Sequence, residues 1–342
     1  MVSYSVIFNN PDKKYKAGDV VECKLQISIF ERIDTRSLSL RFLGEAYNEW
    51  ERTKTVSQSG ATRHVSETFS AREEYFNYEH YFFGGSDGTV REILPGNYSY
   101  ETSFTLPKKL PSNFHHQYGW IRYSVKATYD IFLGSKSEHS EEFFVTSLLD
   151  LNSHSHLKDP VKVIEQKTFC CWCCTSDPVD IITLLPKSGF VPGQKIPITI
   201  EIDNNSNVRI DCVYFQLKEK LKFFATNPGS DSKSEEEIVT DHIFDSGADL
   251  GVAPYQNKLF KHDLFLDPQY PWKILDGCEI IKCEYFIVCT AHSSGCNSNP
   301  KNKVKVFIGS VPFIGDTVQN NDPPSYQDVV TLPPKFEDID HC

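Results

Sequence analysis

Hydrophobic and polar residues alternate with a period of two along much of this chain. Val21, Cys23, Leu25, Ile27 and Ile29 are interleaved with Glu22, Lys24, Gln26 and Ser28, and Leu38, Leu40 and Phe42 repeat the pattern, as do Tyr123, Val125 and Ala127. Successive side chains of a strand point to opposite faces, so this spacing places one face in a core and the other in water, as in antiparallel sheets. Turn clusters separate the runs, at Gly84-Gly85-Ser86-Asp87-Gly88, Leu94-Pro95-Gly96-Asn97 and Ser176-Asp177-Pro178. No stretch of three or more turns carries a convincing helical period, so the expected fold class is all-β and built as a sandwich.

The pattern is also used twice. Tyr15-Lys-Ala-Gly18 followed by Val21, Cys23, Leu25 and Ile27 recurs 175 residues later as Phe190-Val-Pro-Gly193 followed by Ile196, Ile198, Ile200 and Ile202. The same offset carries Leu38, Leu40 and Phe42 onto Val213, Phe215 and Leu217, and Ile121-Arg122-Tyr123 has a rough counterpart in Ile281-Lys282-Cys283 at a smaller offset. Shared phase over two strands and the loop between them points to two similar sandwiches in tandem. A length of 342 residues agrees, because single cores rarely grow past ~250–300 residues.

The expected boundaries are a first sandwich at 1–148, a linker at 149–159, a second sandwich at 160–312 and a tail at 313–342. Asp150-Leu-Asn-Ser-His-Ser-His156 makes the linker polar and turn-rich. The tail is rich in Pro and Asp and holds too little apolar material to offset the entropy of ordering, so disorder is expected there.

Charge and cysteine usage then narrow the class. A formal net charge of −11, with no long Lys/Arg cluster, argues against a nucleic-acid partner. The first residues show neither a basic n-region nor an apolar h-region, and no run approaches the ~20 apolar residues of a membrane span. Eleven cysteines, an odd number, in a chain without a signal peptide read as reduced cytosolic thiols.

Specific residues now point to a family. Tyr15, Gly18, Asp19 and Val21, then Arg36-Ser37-Leu38, then Gly44-Glu45-Ala46 followed by Trp50 resemble the opening of an arrestin N-domain. Leu94-Pro95-Gly96-Asn97-Tyr98-Ser99-Tyr100, Phe104-Thr105-Leu106-Pro107 and Tyr118-Gly119-Trp120-Ile121-Arg122-Tyr123 are similar to the α-arrestins, the arrestin-domain-containing proteins. Phe190-Val191-Pro192-Gly193 and Ile308-Gly309-Ser310-Val311-Pro312 resemble the C-domain landmarks of that family. The resemblance implies two immunoglobulin-like antiparallel β-sandwiches, the arrestin fold, without catalysis or cofactor. It also implies an adaptor of the cytoplasm, recruited to the plasma membrane and endosomes by peripheral association, that engages cytosolic regions of receptors or transporters. The long N-domain helix and clathrin-box tail of the receptor-desensitising arrestins are not evident.

One motif carries the expected function. Pro323-Pro324-Ser325-Tyr326 is a Pro-Pro-x-Tyr sequence. Its prolines preset a polyproline II conformation, which docks into the aromatic-lined groove of WW domains with little loss of entropy. The Tyr326 ring fills a second pocket and presents its hydroxyl to a polar partner. Pro333, Pro334 and Phe336 form a weaker secondary candidate, because Phe336 lacks the hydroxyl. The resemblance implies that the WW partner is a HECT-type ubiquitin ligase. A retromer-like sorting scaffold is the alternative within the same fold.

A second constellation points elsewhere. Cys170, Cys171, Cys173 and Cys174 flank Trp172 as two overlapping Cys-x-x-Cys pairs, which raises zinc, redox or acylation chemistry. Placed on one strand, Cys171 and Cys173 face away from Cys170 and Cys174, so structural thiols are expected and no metal site. His115-His116 and the pair His154 and His156 read as surface histidines, and 232–237, with Glu235-Glu236-Glu237, as a solvated hairpin loop. No nucleophile elbow, zinc-protease or phosphate-loop motif is present.

Overall fold

The computed structural model describes residues 2–58, 61–85, 89–132, 134, 136–171, 174–244, 251–293 and 299–316, with backbone alone at 2, 56–58, 61–62, 170–171 and 174–175. The first half comprises β1 (Val2–Phe8), β2 (Lys14–Lys16), β3 (Val20–Ile29), β4 (Ile33–Gln58) and β5 (Ala61–Gly84). It continues through β6 (Arg91–Ile93), β7 (Gly96–Thr105), β8 (Phe114–His116), β9 (Gly119–Ile131) and β10 (Lys136–Thr146). One sheet runs β1-β3-β7; the facing sheet runs β2-β10-β9-β4-β5, with β6 on β4 and β8 on β9.

The second half repeats this plan. Its strands are β11 (Val161–Lys167), β12 (Cys170–Cys171), β13 (Cys174–Thr175), β14 (Val179–Leu185), β15 (Gly189–Phe190) and β16 (Lys195–Asn204). After these come β17 (Cys212–Ala225), β18 (Asp231–Ile243), β19 (Gln256–Phe265), β20 (Ile281–His292) and β21 (Lys301–Ile308). The sheets run β11-β14-β16-β19 and β15-β21-β20-β17-β18. The expected all-β tandem sandwich is what forms, and no α-helix occurs among the described residues.

The repeat seen in the sequence is a structural one. Tyr15 lies on β2, which pairs in parallel with β10; Phe190 lies on β15, which pairs in parallel with β21. Both rings are buried. Gly18 and Gly193 turn the chain after them at φ 93° and 86°, where a side chain is strained. Leu38, Leu40 and Phe42 stand opposite Tyr129, Ala127 and Val125, as Val213, Phe215 and Leu217 stand opposite Ala291, Cys289 and Ile287. One counterpart shifts: Ala46 faces Ile121, but its equivalent Leu221 faces Cys283, so Ile121 corresponds to Cys283 and not to Ile281.

Two segments differ from expectation. Residues 232–237 are not a loop but part of β18, an edge strand; Ser232-Lys233-Ser234 and then three consecutive glutamates stand where alternating hydrophobic residues would have signalled a strand. Cys170, Cys171, Cys173 and Cys174 do not share one strand. β12 and β13 form a hairpin that sets Cys171 opposite Cys174, so the alternation argument does not apply. Cys173 lies outside the described residues.

Candidate functional site

The sequence placed function in the tail, and the structure shows how the tail is launched. Pro323, Pro324 and Tyr326, and with them Pro333, Pro334 and Phe336, lie outside the described residues. The chain ahead of them stays packed to Asp316. Phe313 is buried with Leu151, Leu157 and Val191. Lys187 lies over the Phe313 ring and forms an ion pair with Asp316, which also accepts from Gln194 Nε2 at 3.1 Å. The anchored chain therefore extends past 312, where sequence composition had begun the tail.

The linker is built into the same place. It is two 3-10 turns, Leu151–Ser153 and Ser155–Lys158, with Leu151 and Leu157 buried. Asp150 caps the first turn by accepting from Asn152 N at 2.9 Å. Asn152 Nδ2 donates to Pro312 O at 2.9 Å, and Ile314 N donates to Asn152 Oδ1 at 2.9 Å. Ser310 N donates to Leu149 O at 3.0 Å, and the backbone of Asp150 bridges Val311 in parallel. Linker and tail exit form one clasp.

The junction between the sandwiches is the third region of concentrated polar contacts. Asn48 of β4 is fully buried, and its Nδ2 donates to Phe224 O and Ile280 O at 3.0 and 2.9 Å. Glu73 Oε2 of β5 accepts from Glu279 N at 2.7 Å and from Ile280 N at 3.3 Å. Trp50 Nε1 donates to Asp231 at 3.0 Å, and Arg52 donates to the same carboxylate and to Ser232 O. Burial opposes ionisation of Asp231, but the Trp50 and Arg52 donors outweigh it and hold the carboxyl below its ordinary value.

His116 belongs to this junction and is not a surface histidine. Its ring stacks on Phe223 of β17 at 5.1 Å, and its Nε2 lies 3.2 Å from Glu235 of β18. Burial lowers its pKa, against the opposite pull of Glu235 and Glu237. Gly119 lets the halves meet: a Cβ there would fall 2.7 Å from Tyr47 O and 3.1 Å from Ile281 Cδ1. Nothing in the local sequence marked Glu73 or His116, and only its phase with Ala46 and Trp50 marked Asn48; the partners of all three lie more than a hundred residues away.

Glu219 is a buried charge that alternation could have revealed, since it lies in phase with Leu217 and Leu221. It pairs with Lys273 at 2.5 Å and accepts from Tyr285 Oη at 3.0 Å and Tyr270 Oη at 3.3 Å. This satisfies the charge inside the second sandwich, where an unpaired carboxylate would be costly. Desolvation also opposes the thiolate form of the buried cysteines, pushing Cys23 up to about 12 and Cys278 to about 11. Among the described residues, no three His, Cys, Asp or Glu side chains converge as a metal cluster. No helix among them is long and apolar enough to cross a membrane.

Two tandem sandwiches of matching topology, clasped at linker and tail, define an arrestin-type scaffold, and comparison with known proteins agrees. Residues 4–152 match the family of the arrestin (or S-antigen) N-terminal domain, and residues 175–313 that of the C-terminal domain. The chain is 33% identical over 321 residues to arrestin domain-containing protein 17 of Caenorhabditis elegans, covering 90% of this chain and 70% of that protein. It is 26% identical over 324 residues to human arrestin domain-containing protein 4, covering 93% and 74%. It is also 26% identical over 208 residues to human thioredoxin-interacting protein, covering 59% and 50%. The chain belongs to the arrestin family.

Proposed function

We propose that this chain is a trafficking adaptor that carries WW-domain HECT-type ubiquitin ligases to the cytosolic regions of membrane receptors or transporters. The observation that carries the reading is Pro323-Pro324-Ser325-Tyr326, which begins seven residues beyond the anchored Asp316 of an arrestin scaffold. A rigid clasp followed by a WW ligand is the arrangement an adaptor requires, with one end fixed and the other offered to a partner. Peripheral recruitment to plasma membrane and endosomes follows from the cargo.

Titrating one WW domain with tail peptides tests the motif. The Tyr326 peptide should bind in the micromolar range, and Tyr326→Phe should weaken binding about three- to tenfold through loss of one hydroxyl contact of ~0.5–1.5 kcal/mol. Phosphotyrosine at 326 should bind far more weakly, because it brings ~1.5–2 negative charges beside Asp322 and Asp328. A phosphopeptide that binds as well as the unmodified one would sink this assignment of the ring to an apolar groove. In cells, proximity labelling with intact chain and with Tyr326→Ala should differ in ligase and share the cargo.

A further inference from the structure

The chain is acidic overall, yet one face of the second sandwich is strongly basic. On β17, Lys218, Lys220 and Lys222 alternate with the buried Leu217, Glu219 and Leu221, so all three point outward from the sandwich. On β21, Lys301, Lys303 and Lys305 alternate with the buried Asn302 and Val304 and point the same way. Lys282 on β20 lies between these rows, opposite Lys222.

Four carboxylates meet these lysines: Glu236, Glu284 and Asp241 on the face itself, and Glu279, which pairs with Lys282 at 3.2 Å. Glu236 takes Lys220 at 2.8 Å and Lys303 at 3.2 Å; Glu284 takes Lys222 at 2.5 Å and Lys305 at 2.6 Å. Glu236 and Glu284 are each held between two ammonium groups, so pairing spreads the positive charge without cancelling it. Seven lysines against these four acids leave an excess of three positive charges on one sheet face of a chain whose net charge is −11.

The occupant is indicated by charge and by reach. Residues 317–342 carry Asp322, Asp328, Glu337, Asp338 and Asp340 against Lys335. They start from Asp316, which is fixed on Lys187 and Gln194 beside β15, the edge strand paired with β21. The four strand spacings from β15 to β18 amount to about 19 Å. Six residues, enough to reach Asp322, extend to about 20 Å.

We propose that residues 317–342 lie across this lysine face and that the contact competes with WW-domain docking at 323–326. The contact rests on the face and the launch point; the competition rests in addition on the WW-ligand reading above. Exposed ion pairs are screened within about 8–10 Å at physiological salt, so the masking weakens as salt rises.

The test uses the full chain in two arms. Carbodiimide coupling followed by mass spectrometry should join Asp322 or Asp328 to Lys301, Lys303, Lys305 or Lys218 at low salt. The yield should collapse at high salt and in the variant Lys301→Gln, Lys303→Gln, Lys305→Gln, which alters exposed side chains only. Absent products, or products indifferent to both changes, overturn the contact.

In the second arm, one WW domain is titrated against the full chain and against a synthetic 317–342 peptide. The peptide should bind about five- to twentyfold more tightly at low salt, since masking lowers apparent affinity by the open fraction. The gap should close in the lysine variant; equal binding by chain and peptide overturns the competition. A peptide that does not bind the WW domain overturns the WW-ligand reading instead, and the coupling arm still judges the contact. If the lysine variant loses only retention on anionic lipid vesicles and keeps its coupling products elsewhere, a lipid surface is the occupant and the proposal fails.

Discussion

The two sandwiches share a topology but fill it differently. The first core is a chain of rings, from Phe42 on Phe104 at 5.4 Å through Phe76 on Phe104 at 4.9 Å to Tyr123 on Phe143 at 5.9 Å. The second is largely aliphatic, with Ile196, Ile198, Ile200 and Ile202 against Val213, Leu217 and Ile287. A second difference matters more. The first core does not close on itself: Leu221, Phe223, Ala225, Leu275, Cys278, Ile280 and Ile281 of the second half are members of it. The second core contains residues of its own half alone, from Phe169 to Ile308. Duplicated topology therefore does not mean duplicated independence, and the first sandwich is completed by the second.

Separating the halves should break this comparison most visibly. Residues 160–316 alone should retain one cooperative unfolding transition, whereas 1–148 alone should lose it or aggregate, because apolar surface of its core is left uncovered. Calorimetry of the two fragments decides; a cooperative 1–148 fragment would show that the shared cluster is dispensable.

Core truncations come next. Phe223→Ala and Phe215→Ala each remove a fully buried ring and should cost about 3–5 kcal/mol. Phe215→Ala should raise hydrogen exchange within 160–316. Phe223→Ala should raise it in β8 and β9 as well, although Phe223 lies in the second half, since its ring packs on Phe114, His116 and Tyr118.

Two asparagines sharpen the contrast at smaller scale. Asn48 ties one sandwich to the other, whereas Asn302 Nδ2 donates to Val163 O at 2.8 Å and Ile181 O at 3.0 Å and ties the two sheets of the second sandwich together. Each change to Ala should cost about 1–3 kcal/mol through buried carbonyls left without a donor. Small-angle scattering should report altered domain arrangement for Asn48→Ala and none for Asn302→Ala.

Histidines give the smallest effect. The His116 pKa is depressed by burial, and His262 is depressed by burial and by the His242 ring stacked at 3.8 Å. A histidine whose native pKa lies below its unfolded value leaves the unfolded chain binding more protons, so stability falls as pH drops below about 6.5. Glu235, Glu237, Glu219 and Lys273 all act on His116, and the carboxylates offset part of the loss. His116→Gln should flatten the pH dependence of the junction, and His262→Gln that of the second sandwich, as read by denaturation midpoints at pH 5.5 and 7.5.

The strands and their duplication were legible in the sequence because period-two burial is a local property, and Tyr15 with Gly18 and Phe190 with Gly193 expose it twice. The junction was not legible. Asn48, Glu73 and His116 are functional in the fold only through partners brought together by topology, and Glu73 and His116 look ordinary among their neighbours. β18 was hidden for a related reason: Glu236 is held by Lys220 of β17 and Lys303 of β21 and Glu235 lies against His116, so a paired edge strand carries the composition of a solvated turn. The alternation argument failed at the cysteines because it presumes a single strand, whereas Cys170–Cys171 pairs antiparallel with Cys174–Thr175. Even so, short landmark runs such as Leu94–Tyr100, Tyr118–Tyr123 and Phe190–Gly193 were enough to reach the family.

The clasp between linker and tail exit also has a mechanical meaning. A partner that drags on residues beyond Asp316 does not pull directly on β21. The load first meets Phe313 in its pocket, the Asp316 contacts to Lys187 and Gln194, and the parallel bridge of Val311 to Asp150. Bonds arranged side by side along a pull share it in shear, while an antiparallel edge strand peels one bond at a time. Force applied beyond Asp316 is thus diverted into the linker, and the second sandwich is spared from unzipping at its last strand.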